Sequence, residues 1–412
     1  MEELLNLTIT QLHNGFKDKK FTSTEVTKAY LAQIKKTDGK IGAYLNVTER
    51  LALEQAEKAD NIISSGKNFP LLCGVPFSVK DAILVEGEIA TAGSKILENY
   101  VAPYDATVII KLKAQGAVIL GKTNLDEFAM GASTENSAYK VTKNPHDLTR
   151  VAGGSSGGSA ASVAAKEAVF SLGSDTGGSI RLPASFCGLV GLNPTYGAVS
   201  RYGLSAMASS LDQIGPMTKN IEDCRIVFEA ITGKDSMDAT STEITNHKSQ
   251  ITNLKGLKIG MPKEYFGKGI ESEVEKIIKN CIAKAKEQGA KIVEISLPNT
   301  QYAIACYYVI VTSEVSANLA RFDGIKYGLS EPAENLLGVY LNSRGKGFGA
   351  EVKRRIMLGT YSLSSGYYDA YYKKAQEVRQ LIKQDFENAF KKVDVIFSPV
   401  APFPAFKIGQ NT

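Results

Sequence analysis

Little in this sequence can serve as a histidine- or metal-based catalyst. Its 412 residues include three histidines, His13, His146 and His247. None lies in a glycine-rich loop, which argues against a Ser-His-Asp triad. The five cysteines, Cys73, Cys187, Cys224, Cys281 and Cys306, are odd in number and form no Cys-x-x-Cys pair. Neither a disulfide scaffold nor a zinc site is expected, and a reducing compartment fits. No stretch of 18 apolar residues occurs, and the start, Met1-Glu2-Glu3-Leu4, has acids where a secretory signal carries lysines. A cytoplasmic protein without a membrane span is therefore expected. The P-loop pattern is missing, as are internal repeats and low-complexity tails.

What is present is an ordinary globular composition, 43% hydrophobic and 22% charged, with a net charge of +5. The chain can bury a sizeable core, and its length alone allows two or three domains. The mild basic excess, as in Lys353-Arg354-Arg355, suits either a polyanionic neighbour such as tRNA or simply solvated lysines.

The first 65 residues read as helices. Thr22 and Glu25 make a capping-box pattern ahead of Val26, Tyr30 and Ile34, and a second helix is predicted over 47–63 behind Asn46 and Glu49. Val75, Phe77 and Val79 then alternate with Pro76, Ser78 and Lys80, a strand ending at Lys80-Asp81. A helix near 105–115 leads to the apolar run Ala117-Val118-Ile119-Leu120, a buried strand. Further on, Leu257–Gly260, a helix over 271–288 and Lys291–Leu297 form a βαβ pattern, which favours parallel pairing. The expected fold class is α/β, with a mixed, mostly parallel central sheet flanked by helices on both faces. Residues 233–256 are polar and read as a surface excursion between two parts of that sheet. Residues 302–390 read as mainly helical, with tyrosines clustered at 361, 367, 368, 371 and 372, of which Tyr361, Tyr367, Tyr368 and Tyr371 read as core.

Two glycine-serine stretches carry the chemistry: Gly153-Gly154-Ser155-Ser156-Gly157-Gly158-Ser159 and Ser174-Asp175-Thr176-Gly177-Gly178-Ser179. The first opens an alanine-rich run, so a loop entering a helix is predicted there, with unsatisfied N–H groups at its start. A serine nucleophile needs a base within reach. With histidine a weak reading, a buried lysine is the alternative, because burial disfavours its charged form. Lys80, at the end of an apolar strand, is placed for that role, although read alone it is an ordinary strand-end lysine.

These residues together resemble the amidase signature family. The stretches VPFSVKDAI, GGSSGGS and DTGGSIRLPASFCGLVGLNPTYG are long and specific, and the interval of 24 residues from Ser155 to Ser179 is the family's own. The resemblance implies a single domain over 1–412 and no metal. It also implies Ser179 as the acylated nucleophile, Ser155 as a bridging serine after a cis peptide bond, and Lys80 as the base. Thr176, Gly177 and Gly178 would join Ser179 in supplying oxyanion N–H groups. GKTNLDEFAMGASTENSAY, SSLDQIGPMTKN, ARFDGIKYG and EVKRRIMLGTYSLSSGYYDAYYKKAQEVR are similar to the glutamine-hydrolysing branch that works in tRNA-dependent amidotransferases. That branch implies Arg355 as the glutamine carboxylate partner and Tyr307 as a pocket wall. It implies partner B and C subunits, with ATP and Mg bound by B rather than by this chain, and aminoacyl-tRNA reached through B. Members of that branch continue past Pro399–Phe406 with further strand, helix and an acidic substrate contact, so the C-terminal part of the fold is expected to be missing. A free-standing amidase and an inactive interaction subunit stay open as alternatives.

Overall fold

The computed structural model describes residues 2–244, 253–267 and 269–411. His247 and most of the second half of the 233–256 excursion lie outside the described residues. By its internal packing the chain divides into two compact units. The first comprises Met1–Ile244, Asn318–Arg354 and Ala405–Thr412, the second Thr245–Ala317 and Arg355–Pro404. Each has its own sheet and its own hydrophobic cluster.

In the first unit, Thr8 and Thr22 each close a capping box, starting α1 (Ile9–Lys17) and α2 (Ser23–Ile41) as the Thr22/Glu25 pattern predicts. The chain then differs from the all-helical reading. Residues Tyr44–Val47 form strand β1, and α3 (Glu49–Ser64) starts after Thr48, so Asn46 caps nothing; its side chain bonds Glu88 instead. Four residues are too short to announce a strand, and pairing with a distant segment made this one.

Strands β2 (Pro76–Lys80), β3 (Val118–Thr123) and β6 (Phe170–Asp175) are buried at every position. Side chains alternate between faces, so both faces of this part are covered. Helix α4 (Thr107–Ala114) links β2 to β3, and α5 (Gly157–Ala164) precedes β6. The sheet order is β1-β3-β2-β6-β8-β7, with β8 at Gln213–Thr218 and β7 at Val190–Gly191. It is mixed, as expected: β3, β2 and β6 are parallel at the centre, whereas β1, β8 and β7 pair antiparallel. A separate hairpin joins β4 (Lys143–Asn144) to β5 (Asp147–Val151). Phe77 and Phe170, partners in register, stack at 4.8 Å and 4° and lie in the core with Ile119, Val163 and Ile180. Helices α6 (Arg181–Phe186), α7 (Ile221–Ile231) and α10 (Leu336–Gly347) complete this unit.

The predicted βαβ pattern is present in the second unit: β9 (Lys258–Pro262), α8 (Ser272–Glu287) and β10 (Lys291–Ile295), its strands parallel, with β11 (Val395–Ile396) on the other side of β9. These strands form a three-stranded sheet of their own rather than a continuation of the first. Helices α9 (Ala303–Asn318) and α11 (Ala350–Leu363) approach through Gly359, where a Cβ would collide with the Thr312 carbonyl oxygen. The helical stretch Pro298–Arg321 is long and apolar enough to cross a membrane by length and composition alone. The hydroxyls of Thr312, Ser313 and Ser316, however, are bonded within the protein; Ser313 bonds both the Val309 carbonyl and Ser362. The tyrosines are not core. Tyr361, Tyr367 and Tyr371 are exposed and pack on one another, around the turn after α11 and ahead of α12 (Lys374–Phe390).

Truncating the central stack by Phe77→Ala should cost about 3–5 kcal/mol of stability. Urea unfolding measures it, and a loss below about 1 kcal/mol would show that this pair is not a centre of the core.

Candidate active site

Two parallel neighbours, β2 and β6, end side by side, so whatever follows their C-terminal ends converges. Lys80 is the last residue of β2, and the loop carrying Ser179 follows β6. The Ser155 segment reaches the same place because it runs directly into α5, which packs on β2 and β6.

Lys80 is fully buried, with Nζ 2.8 Å from Ser155 Oγ and from Ser156 Oγ, 2.9 Å from Ser174 Oγ and 3.2 Å from the Ser174 carbonyl oxygen. Its bonded neighbours are hydroxyls and a carbonyl. Lys122, equally buried on β3, has a carboxylate: Asp81 at 3.0 Å. Desolvation pulls the Lys80 amine down to about 7, although the charges of Asp126, Asp175 and Asp212 work the other way. A neutral amine has two N–H groups and one lone pair. Ser156 donates its own hydrogen to the Ser174 carbonyl at 3.0 Å, so it accepts from Lys80. The second N–H is satisfied at Ser174, which leaves the lone pair for an incoming hydroxyl.

Ser155 follows a cis peptide bond from Gly154, and its carbonyl accepts from the Asp126 N–H at 3.3 Å. No side chain fits at Gly154, where a Cβ would collide with Asp126 Oδ2. Ser179 is 8% exposed and is tied to the serine pair through its backbone, its carbonyl accepting from the Ser156 N–H at 3.2 Å. Among the described residues no hydrogen bond joins the Ser155 and Ser179 hydroxyls.

The loop itself is shaped by Asp175. Its carboxylate accepts from the N–H groups of Gly178 at 2.6 Å and Ile180 at 3.0 Å, and it pairs with the Arg181 guanidinium through two contacts of 3.1 Å. Burial opposes its ionised form, but Arg181 and those N–H donors outweigh it and hold the carboxyl below the usual range. One expectation is corrected here. The Gly178 N–H is already committed to Asp175, so this glycine supplies a left-handed φ of +129° and not an oxyanion donor. No bond to the N–H groups of Thr176, Gly177 or Ser179 occurs among the described residues. Thr176 is fixed by its hydroxyl, which donates to Asp212 Oδ1 at 2.7 Å.

Tyr307 and Arg355 belong to the second unit. Arg355 is 7% exposed, so it is no ordinary surface charge; its guanidinium lies 5.5 Å from the Tyr308 ring centre. Tyr307 is half-buried and packs edge-on against Tyr308 at 5.4 Å. Sequence reasoning missed Ser156, Ser174 and Asp175, although all three stand inside the glycine-serine stretches; their signal was a polar side chain beside each expected catalytic position. Asp126 and Asp212 had no such signal, because only the fold brings them near Lys80. Among the described residues no group of three or more His, Cys, Asp or Glu side chains is arranged to hold a metal ion.

The amidase family profile matches residues 25–412. The chain is 56% identical over 414 residues to the glutamyl-tRNA(Gln) amidotransferase A subunit of Caldanaerobacter subterraneus, covering 100% of this chain and 85% of that protein. Its identity to the protein of the same name from Microcystis aeruginosa is also 56%, over 98% of this chain and 84% of that one. Among solved structures, the glutamyl-tRNA(Gln) amidotransferase A subunit of Thermotoga maritima superimposes with a TM-score of 0.79 at 40% identity, covering 99% of this chain and 82% of that chain.

Replacing Asp175 by Asn removes the charge that organises the loop carrying Ser179. Asp175→Asn should lower stability by about 1.5–3 kcal/mol, the range for hydrogen bonds to charged groups. Thermal unfolding at neutral pH tests this, and an unchanged midpoint would mean the loop is held by something else.

Proposed function

The chain belongs to the amidase family, and from that premise we propose that it hydrolyses glutamine and supplies the ammonia to a tRNA-dependent amidotransferase. The observation that carries the reading is a buried, carboxylate-free Lys80 amine at 2.8 Å from Ser155, brought down to about 7. Identity of 56% to proteins named as amidotransferase A subunits supports the choice of glutamine over other amides.

In the proposed reaction, neutral Lys80 takes the Ser155 hydrogen while Ser155 takes that of Ser179, and Ser179 Oγ attacks the glutamine carboxamide carbon. The carbonyl oxygen becomes an oxyanion that accepts from the N–H groups of Thr176, Gly177 and Ser179. One such donor is typically worth about 2.7–4 kcal/mol in the transition state. The relay returns its proton to the departing nitrogen, and ammonia leaves with a glutamyl ester on Ser179. Water then adds to the ester through the same relay, releasing glutamate. Arg355 would hold the glutamine α-carboxylate and Tyr307 would line the pocket, a pairing that suits a planar guanidinium. The ammonia would pass to a partner B subunit, which would hold the ATP and Mg needed for amidation of Glu-tRNA(Gln), or of Asp-tRNA(Asn), and a C subunit would hold the pair together. Free, unpaired cysteines suit the cytoplasm as its place of work.

Lys80→Ala and Ser179→Ala should each abolish formation of the acyl-enzyme, detectable as loss of the covalent glutamyl adduct by mass spectrometry; normal turnover in either would end the assignment. Because the ammonium form of Lys80 cannot accept a proton, kcat/KM for glutamine should fall as pH drops through about 7 and level off above it. A profile flat from pH 6 to 9 would contradict a lysine base. Arg355→Ala should raise the glutamine KM on the order of tenfold or more, as loss of a charged hydrogen-bond pair does; an unchanged KM would remove the residue from the site.

A further inference from the structure

We propose that Glu127 is a positioning residue for glutamine binding: its carboxylate anchors the N-terminus of α11, the helix on which Arg355 lies. The inference rests on the function proposed above, since that reading gives Arg355 its role.

Glu127 is buried, and both of its carboxylate oxygens are engaged. Its carboxylate accepts from the Gly349 N–H at 2.9 and 3.2 Å and from the Ser94 hydroxyl at 2.5 Å. Gly349 immediately precedes α11, whose first-turn N–H groups have no partner within the helix and carry partial positive charge. A carboxylate from a distant segment therefore does here what a capping side chain does locally. The fit is close: a Cβ on Gly349 would collide with Glu127 Oε2. Ser94 Oγ is also within 3.2 Å of the Gly347 carbonyl, so the two side chains grip the α10–α11 turn from both ends. The first turn of α11 lies in the same unit as Glu127, and Arg355 is the next residue of the helix beyond Arg354, where that unit's segment ends.

The position of Glu127 in the chain gives this anchor its meaning. Its neighbour Asp126 points the other way, accepting from the N–H groups of Thr134 at 2.9 Å and Asn136 at 3.1 Å and closing over Gly154, while its own N–H bonds the Ser155 carbonyl. Two consecutive acids thus fasten the bridging serine on one side and the start of α11 on the other. The residues after them, Phe128 and Ala129, have φ of +47° and +63°, a conformation that costs non-glycine residues of order 1–3 kcal/mol each and persists only where surroundings impose it. Burial pushes the Glu127 carboxyl up to about 7, against the Ser94 and Gly349 donors and the Lys353 charge that favour its ionised form. At pH 8 the anchor is a carboxylate.

The test compares Glu127→Gln, Gly349→Ala and Arg355→Ala at pH 8 in the enzyme assembled with its partner subunits. Glutamine kinetics are measured beside the acylation burst with p-nitrophenyl acetate, an ester without an α-carboxylate. Glu127→Gln should raise the glutamine KM on the order of tenfold, leaving kcat and the ester burst within about twofold. A merely structural role would lower the burst amplitude and kcat and leave KM in place, and that result overturns the inference. If Glu127→Gln does not fold, Gly349→Ala carries the same expectation and the same refutation. Arg355→Ala separates the two claims: if it raises KM while Glu127→Gln does not, only the anchor is wrong; if it leaves KM unchanged, the glutamine site itself is wrong.

Discussion

An amine sealed from water without a carboxylate beside it is the constraint that shapes this site. Bringing the Lys80 amine from its ordinary 10.5 to about 7 represents roughly 5 kcal/mol of lost preference for the charged form. Between those values the unfolded chain is protonated at this position and the folded chain is not, so this position favours folding more as pH rises through that range. The fold sustains that cost because β2 is covered on both faces and because Ser155, Ser156 and Ser174 satisfy the amine without charging it. The contrast lies one strand away, where Lys122 is just as buried but has Asp81. The two buried lysines differ in their partners, a carboxylate for Lys122 and only hydroxyls and a carbonyl for Lys80.

The rest of the site follows from where parallel strands end. β2 delivers Lys80 and β6 the loop carrying Ser179 to the same edge of the sheet, and the segment entering α5 brings Ser155 to Lys80. Asp175 accepts from the Gly178 and Ile180 N–H groups and pairs with Arg181, turning a glycine-rich loop into a fixed one. A flexible loop would present Ser179 and the N–H groups of Thr176 and Gly177 in many arrangements, whereas electrostatic stabilisation of an oxyanion requires donors already in place.

Much of this was legible in the sequence where the signal is local. The Thr22/Glu25 capping box, the β2 strand and the entry into α5 each depend on residues within a few positions of one another. Lys80, Ser155 and Ser179 were legible through long, specific motifs, since no periodicity links residues about 100 positions apart. What the sequence hid depends on distant partners. Strand β1 exists because β3 offers it an edge, and Asn46 lost its capping role to that pairing. The three-stranded sheet reads as βαβ in sequence, but nothing local says that it stands apart from the larger sheet. The tyrosines after α11 look like core by composition and are exposed, and the Gly178 N–H looks free until Asp175 is seen to hold it.

The central claim is the protonation state of one amine, and it can be read without turnover. NMR titration of the protein with isotope-labelled lysine side chains, the Lys80 signal assigned by its disappearance in Lys80→Met, reports that state directly. The account predicts a midpoint near 7. A Lys80 signal that titrates near 10.5, with the solvent-exposed lysines, would contradict it.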